Sequence, residues 1–241
     1  MSLRHVILPP AYTEELLKLL ANVTVLPFAE MEKVFIAEYG QRPDQVFVNF
    51  NPEPIASASI SQVYKANLKT GEEVVVKIQR PGITEVFERD FILASFFFFF
   101  LSIFRIAQSV VIYEVVEEFI AWTRRELDFR FEARNGLALY QHSVRHPDTV
   151  IPKVYPDLST ERVLVMEYMS GIARLDSIIS KIDKNPNIKL DLLRNQRIDL
   201  EKMAYYFMID GMRQYFIDGF FHADPHPANV LYTSADQKFS F

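Results

Sequence analysis

Apolar positions follow a helical period at both ends of the chain and a strand period in a window between them. Behind Pro9-Pro10, Leu16, Leu17, Leu19 and Leu20 alternate with Glu14, Glu15 and Lys18 in a first helical pattern. A second helix is expected over Phe28 to Tyr39, stopped by Gly40. From Val46 to Gln79 the period falls to two, and three strands are expected in VFVNF, ISQVYKANL and EEVVVKIQ. Lys69-Thr70-Gly71 forms the turn between the last two, and Pro81-Gly82 closes the segment.

Helices return from Ile83 to about Val144. There Val116, Phe119, Ile120, Leu127 and Phe131 make a stripe at helical spacing that is expected to face a core. Val150 to Val154 and Arg162 to Glu167 read as strands around Pro156-Asp157, with Gly171 as a hinge beyond them. The polar stretch from Asp183 to Gln196, which holds Pro186, reads as a surface insert. A last helix, from about Leu200 to Ile217, ends at Asp218-Gly219 and leads into the loop FFHADPHPAN. No internal repeat shows along the chain.

With 241 residues, 49% hydrophobic and 24% charged, the chain has enough apolar content for a real core, which excludes a disordered or fibrous protein. A net charge of -5 gives no reason to expect nucleic acid as a partner. The absence of cysteine rules out disulfides and thiolate-metal sites and suits a reducing cytoplasm. The first residues, MSLRHVILPPAYTEELL, lack the pattern of a signal peptide. One stretch is membrane-like, Phe91 to Phe104 (FILASFFFFFLSIF), but its fourteen residues reach only about 21 Å against a hydrocarbon core of about 30 Å. A buried or partly exposed apolar helix is therefore expected. The run from Phe96 to Phe100 leaves a lipid-facing or partner-facing patch, and with it peripheral attachment to a membrane, as the second expectation.

Four groups of residues carry candidate chemistry. Lys77 ends a β-branched run, on the face opposite Val76 and Ile78. A strand lysine is most often only solvated, but one hairpin upstream lies the small-residue segment Pro54-Ile55-Ala56-Ser57-Ala58-Ser59. Loops that cradle phosphates need small side chains so that main-chain N–H groups can approach the oxygens, although alanine allows this less freely than glycine. Farther on, Glu126-Leu127-Asp128-Phe129-Arg130-Phe131-Glu132 can be an ordinary charged helix face, with Arg124, Arg125, Arg130 and Arg134 as partners. In a kinase-like lobe, however, one helical glutamate must hold the strand lysine against the nucleotide phosphates, and Glu132 is the candidate.

The most specific group is His222-Ala223-Asp224-Pro225-His226-Pro227-Ala228-Asn229. Its Asp and Asn stand five apart, as base and metal ligand do in a kinase catalytic loop. Both side chains offer the hard oxygens that Mg²⁺ takes. A proline-stiffened turn capped by Asp and Asn is the bland alternative, and a zinc or iron site on His222, Asp224 and His226 is the rival chemical one. Finally, Val163 to Gly171 is an apolar strand turning polar at Glu167-Tyr168-Met169, the shape of a hinge whose main chain receives an adenine edge.

Taken in order, PIASASISQVYKANLKTGEEVVVKIQRPGI, RRELDFRFEARN, LSTERVLVMEYMSGI and GFFHADPHPANVL strongly resemble the UbiB family, also called aarF-domain or ADCK kinases. The similarity starts at LPPAYTEELLKLL and leaves out mainly the insert from Asp183 to Gln196. The resemblance implies an α+β, protein-kinase-like, two-lobed fold. It divides the chain into a helical extension (1–44), a small lobe with inserted helices (45–169) and a truncated large lobe with the catalytic loop (170–241). It further implies an alanine-rich loop at Ala56 to Ser59, Lys77 as the strand lysine, Glu132 as its partner, a regulatory E-x-D motif at Glu126 and Asp128, and a catalytic loop on Asp224 and Asn229.

ATP or ADP with Mg²⁺ is the implied ligand set. Ubiquinone or other isoprenoid-lipid metabolism at a membrane surface, with lipid-biosynthesis proteins as partners, is the implied setting. Three departures stand out. The K-x-G-Q motif that precedes this segment in the family is missing; the D-F-G aspartate is expected just after the strand Lys238 to Phe241, where the sequence stops; and Ala228 replaces the glycine of H-P-G-N. The first two suggest a fragment or a misread frame, with incomplete metal coordination. A non-catalytic nucleotide-sensing or lipid-binding scaffold is the rival from another class.

Overall fold

The computed structural model describes residues 24–103, 109–146, 150–170, 172–185, 198–223, 229–233 and 238–240, so the helix expected around Leu16 to Leu20 and the hinge at Gly171 lie outside the described residues. The described residues form two compact units. One holds those from 24 to 134 with Tyr155–Met166, and the other holds Asn135–Val154 and those from Glu167 onward.

In the first unit, α1 (Phe28–Tyr39) follows Pro27 and stops at Gly40, whose φ of 67° is the left-handed conformation that glycine adopts at little cost. A single-turn helix, α2 (Pro43–Val46), comes next. The strand expected at VFVNF is reduced to one bridge, Val48 to Asn67, because Val46 still belongs to α2 and Asn49 takes a positive φ of 51° that no strand continues through. The sheet runs in the order β1 (Ala56–Ser57), β2 (Ser61–Asn67), β3 (Glu73–Gln79), β4 (Val163–Glu167). β2 and β3 form an antiparallel hairpin in register from Ser61 opposite Gln79 to Asn67 opposite Glu73. Its turn is closed by the bond from the Leu68 N–H to the Glu72 carbonyl at 2.8 Å.

Alternation along this hairpin sends Tyr64, Ala66, Val74, Val76 and Ile78 to one face, where they are buried against Met31, Val34 and Phe35 of α1 and Val163 and Val165 of β4. Burial on that scale is the main stabilising term of the unit. Within it the buried Gln62 accepts from the Leu26 N–H at 2.6 Å and donates to the Tyr64 hydroxyl at 2.7 Å, so its polar atoms are spent.

Beyond Pro81-Gly82 come α3 (Ile83–Ile103) and α4 (Ser109–Glu126), bridged by Arg124 to both oxygens of Glu88 at 2.7 Å. On α3, Phe91 is buried but Ile92, Leu93, Phe96, Phe97, Phe99 and Phe100 are exposed, so the partly exposed form of the expectation holds. No helix among the described residues is long and apolar enough to cross a membrane. The expected stripe does not lie on one helix. The chain breaks at Leu127-Asp128 before α5 (Phe129–Ser143), and while Ile120 and Leu127 are buried, Phe119 and Phe131 are exposed.

In the second unit, Val150 to Val154 is not the expected strand. It is extended chain with a single bridge residue at Val154, crossed so closely by α5 that a Cβ on Gly136 would lie 2.7 Å from the Val154 side chain. A three-stranded antiparallel sheet runs β5 (Ile172–Arg174), β6 (Leu231–Thr233), β7 (Lys238–Ser240). Helix α6 (Leu175–Lys184) takes in Asp183 and Lys184, so the polar insert starts later than expected, and 186–197 lie outside the described residues. Helix α7 (Leu200–Arg213) is capped by Asp199, which accepts from the N–H groups of Glu201 and Lys202. It widens into a π turn over Gln214–Asp218 and stops at Gly219, φ 64°, at the expected boundary. Ile178, Ile198, Met203, Val230 and Tyr232 form this unit's core.

Candidate functional site

The period-two pattern that buries Val76 and Ile78 turns Lys77 to the other face of β3, opposite Val63 of β2. There its ammonium lies 2.8 and 3.0 Å from the two carboxylate oxygens of Glu132 and 4.6 Å from the centroid of the buried Phe129 ring. Glu132 stands in the first turn of α5, and that turn is held from three directions. Asp128 caps it by accepting from the Arg130 N–H at 3.0 Å, the Phe129 N–H donates to the Glu161 carbonyl at 2.9 Å, and the buried Gln79 amide donates to the Leu127 carbonyl at 2.8 Å. A pair with side chains 24% and 43% exposed contributes little to stability.

Glu126 ends α4, and Asp128 follows after the buried Leu127. The Arg130 guanidinium grips Asp128 at 2.8 and 2.9 Å and holds its carboxyl below the ordinary range, against the opposing effect of partial burial. A carboxylate whose folded pKa is depressed stabilises the fold above its unfolded pKa, and that contribution disappears as pH falls through the folded value. Asp128→Asn keeps a good helix cap and removes the charge. It is expected to cost about 0.5–1 kcal/mol at pH 7, and the difference from the parent should shrink as pH falls below about 4, the ordinary carboxylate value, and vanish only once pH is below the depressed folded value. Urea unfolding of both proteins between pH 7 and pH 3 measures this; a pH-independent difference would show that the ion pair is not its source.

The expected cradle, Ala56 to Ser59, is half strand and half turn. Ala56 and Ser57 form β1 against Val63 and Gln62, and the Ala58 N–H is spent on the Ser61 carbonyl at 2.8 Å. Arg80, which sequence reasoning passed over, clasps this turn by donating to the Ala58 carbonyl at 3.0 Å and the Ser57 hydroxyl at 2.8 Å. The segment thus offers an exposed small-residue tip with a cation behind it.

In the second unit, the Glu167 carboxylate accepts from the Lys153 N–H at 3.0 Å while its own N–H donates to the Lys153 carbonyl at 2.8 Å; Met169, two residues on, is half-buried. Asn229 is exposed at a turn, directly before the buried Val230 that leads into β6. Asp224 and His226 lie outside the described residues, and among the described residues no cluster of His, Asp and Glu suits a metal of the rival type. Besides Arg80, sequence reasoning missed Gln79, as well as Asp210 and Gln214, which are buried at the end of α7. Their only signal is a polar side chain inside an apolar run.

The model of the ABC1 atypical kinase-like domain matches residues 18–241. An uncharacterized protein of Synechocystis is 33% identical over 96% of this chain and 56% of its own length. The probable serine/threonine-protein kinase abkB of Dictyostelium discoideum is 35% identical over 95% of this chain and 33% of its own. The probable protein kinase UbiB of Cellvibrio japonicus is 33% identical over 96% and 40%. The chain therefore spans between a third and somewhat over half the length of these curated relatives. Among solved structures, Rv3197 of Mycobacterium tuberculosis, determined in complex with erythromycin, matches with a TM-score of 0.70 and 27% identity over 100% of this chain and 57% of that one.

Proposed function

Because the chain belongs to the ABC1 atypical kinase-like family and has its kinase-like fold, we propose that it binds ATP with Mg²⁺ and cleaves the terminal phosphoanhydride as an unorthodox kinase or ATPase. The Lys77–Glu132 pair carries this reading: a strand ammonium held by both oxygens of a helical glutamate is what phosphate positioning in a kinase-like site requires. Lys77 holds phosphate oxygens, and Glu132 fixes the direction of Lys77. The turn at Ala56, Ser57, Ala58 and Ser59 covers the phosphates, and the main chain from Glu167 to Met169 receives the adenine edge.

Asp224 aligns or deprotonates the acceptor, whether water or a hydroxyl. The exposed Asn229 amide offers the hard oxygen that suits Mg²⁺, so the donor chemistry fits the ion. When bound, Mg²⁺ neutralises charge on the transferring phosphoryl group. Glu126 and Asp128, directly ahead of the helix that bears Glu132, take a regulatory part. The reading extends to isoprenoid-lipid metabolism at a membrane surface, supported by relatives named UbiB and by the exposed apolar face of α3.

Thermal melting of the intact protein tests the nucleotide claim. A ligand that binds only the folded state adds about 2.7 kcal/mol at one hundred times its Kd. Saturating ATP with Mg²⁺ is therefore expected to raise Tm by several degrees, and chelation of the metal to reduce the rise. An unchanged Tm at millimolar ATP and Mg²⁺ would favour the scaffold.

A further inference from the structure

A run of buried polar side chains in the second unit leads from the C-terminal end of α7 to the main chain at His222. Asp210 and Gln214 are each 4% exposed. One oxygen of Asp210 meets the Arg213 guanidinium at 2.5 Å, and the other accepts from the Gln214 side-chain amide at 2.6 Å. The Gln214 carbonyl oxygen in turn accepts from the His222 main-chain N–H at 2.9 Å. Arg213 also donates to Asp218 at 3.2 Å, and Asp218 faces His142 and His146 at 3.8 and 3.9 Å.

Gln214 is the first residue of the π turn, a widened turn of the kind that recurs at functional sites. Its amide has two ends, one donating and one accepting, and each is committed to a different part of the chain. An apolar side chain would fill the same space without needing partners. A buried amide used at both ends instead fixes the angle at which the chain leaves the helix.

We propose that Gln214 is a positioning residue for the main chain where it leaves the π turn toward Asp224. It fixes the main chain at His222, two residues ahead of Asp224 in the sequence, through a side chain that the Asp210 carboxylate orients. The proposal rests on the reading of Asp224 as the carboxylate that aligns the acceptor.

Exchange of amide for carboxylate tests it in the intact protein. Gln214→Glu turns the 2.6 Å hydrogen bond into two facing carboxylates, although the His222 N–H keeps an acceptor. In the double variant Asp210→Asn with Gln214→Glu the polarity is reversed: the Asn amide donates to Glu, and its oxygen still accepts from Arg213. Gln214→Glu is expected to lower kcat for ATP turnover about 10- to 100-fold, the cost of a misplacement near 1 Å, with KM changed less than about threefold. Amide hydrogen exchange at His222 should rise at least about tenfold while that of Met203 to Ile209 stays at the parent rate. The double variant should regain kcat to within about threefold and the parent exchange rate, a recovery that a general loss of stability would not produce. If Gln214→Glu does not fold, Gln214→Met should give the same exchange result.

Parent-like kcat and exchange in Gln214→Glu, or a double variant no better than the single one, would overturn the proposal. If no protein in the set turns over ATP while the exchange pattern appears as expected, the positioning of His222 stands and the phosphotransfer reading falls.

Discussion

Lys77→Met is expected to lower kcat/KM for ATP by about 100-fold or more while leaving the protein folded and within about 2 °C of the parent Tm. The two halves of this expectation have separate physical sources. Lys77 and Glu132 are both partly exposed, and such a pair is worth about 0–1 kcal/mol to stability. Methionine keeps a flexible apolar side chain of similar length and removes the ammonium, with its contacts to Glu132 and to the face of the Phe129 ring, each worth little at a partly exposed site. Catalysis loses more, because a charge fixed beforehand where phosphate charge develops is worth about 2.7–4 kcal/mol in transition-state energy. Glu132→Gln should fall between parent and Lys77→Met, since the amide can still accept from the ammonium but with less attraction. Phosphate release at several ATP concentrations, with melting curves for each variant, decides the matter. Turnover within about threefold of the parent in Lys77→Met would remove this lysine from the reaction.

Asp224→Asn is expected to abolish turnover, a loss of about 10³-fold or more, whereas His226→Ala should cost less than about tenfold. Asp224 stands five residues before Asn229 in a loop stiffened by Pro225 and Pro227, a spacing that suits two fixed groups at a terminal phosphate. The amide keeps the size of the aspartate and loses the charge that aligns or deprotonates the acceptor. If His222, Asp224 and His226 instead held zinc or iron, removing His226 would strip a ligand and damage activity as badly. Phosphate release and bound metal should therefore be measured on both variants beside the parent. Equal collapse with loss of a stoichiometric transition metal would replace the kinase reading, and a fully active Asp224→Asn would leave the reaction without this carboxylate.

Local chemistry made much of the fold readable. The β2–β3 hairpin follows from period-two burial and a Lys-Thr-Gly turn, and the ends of α1 and of the π turn from Gly40 and Gly219, both with positive φ. VFVNF failed as a strand because one residue, Asn49, is left-handed, and apolar alternation does not report that. The break between α4 and α5 was hidden for the opposite reason: the apolar stripe continues in helical register across Asp128, which is in fact a cap.

The partnership of Lys77 with Glu132 spans 55 residues and was reached through the logic of a kinase-like lobe, not through periodicity. Nothing comparable pointed to Gln79 or Arg80, whose partners lie 48 and 23 residues away. Long-range hydrogen bonds of polar side chains leave no periodic trace in a single sequence.

The order of strands in the first sheet also bears on how the chain reaches it. β2 and β3 are neighbours in sequence and pair through a short turn, whereas β4 joins β3 only after α3, α4 and α5 have intervened. Closing so long an excursion costs little more free energy than closing a moderate one, since the penalty grows only as about (3/2)RT ln n. In time it costs more, because non-local pairings are the slow ones. Until β4 arrives, β3 presents a raw edge, and the Gln79 N–H that will meet the Arg162 carbonyl at 2.9 Å has only water to bond. Any order of folding that forms the β2–β3 hairpin before β4 docks leaves that edge open to pairing with the wrong neighbour.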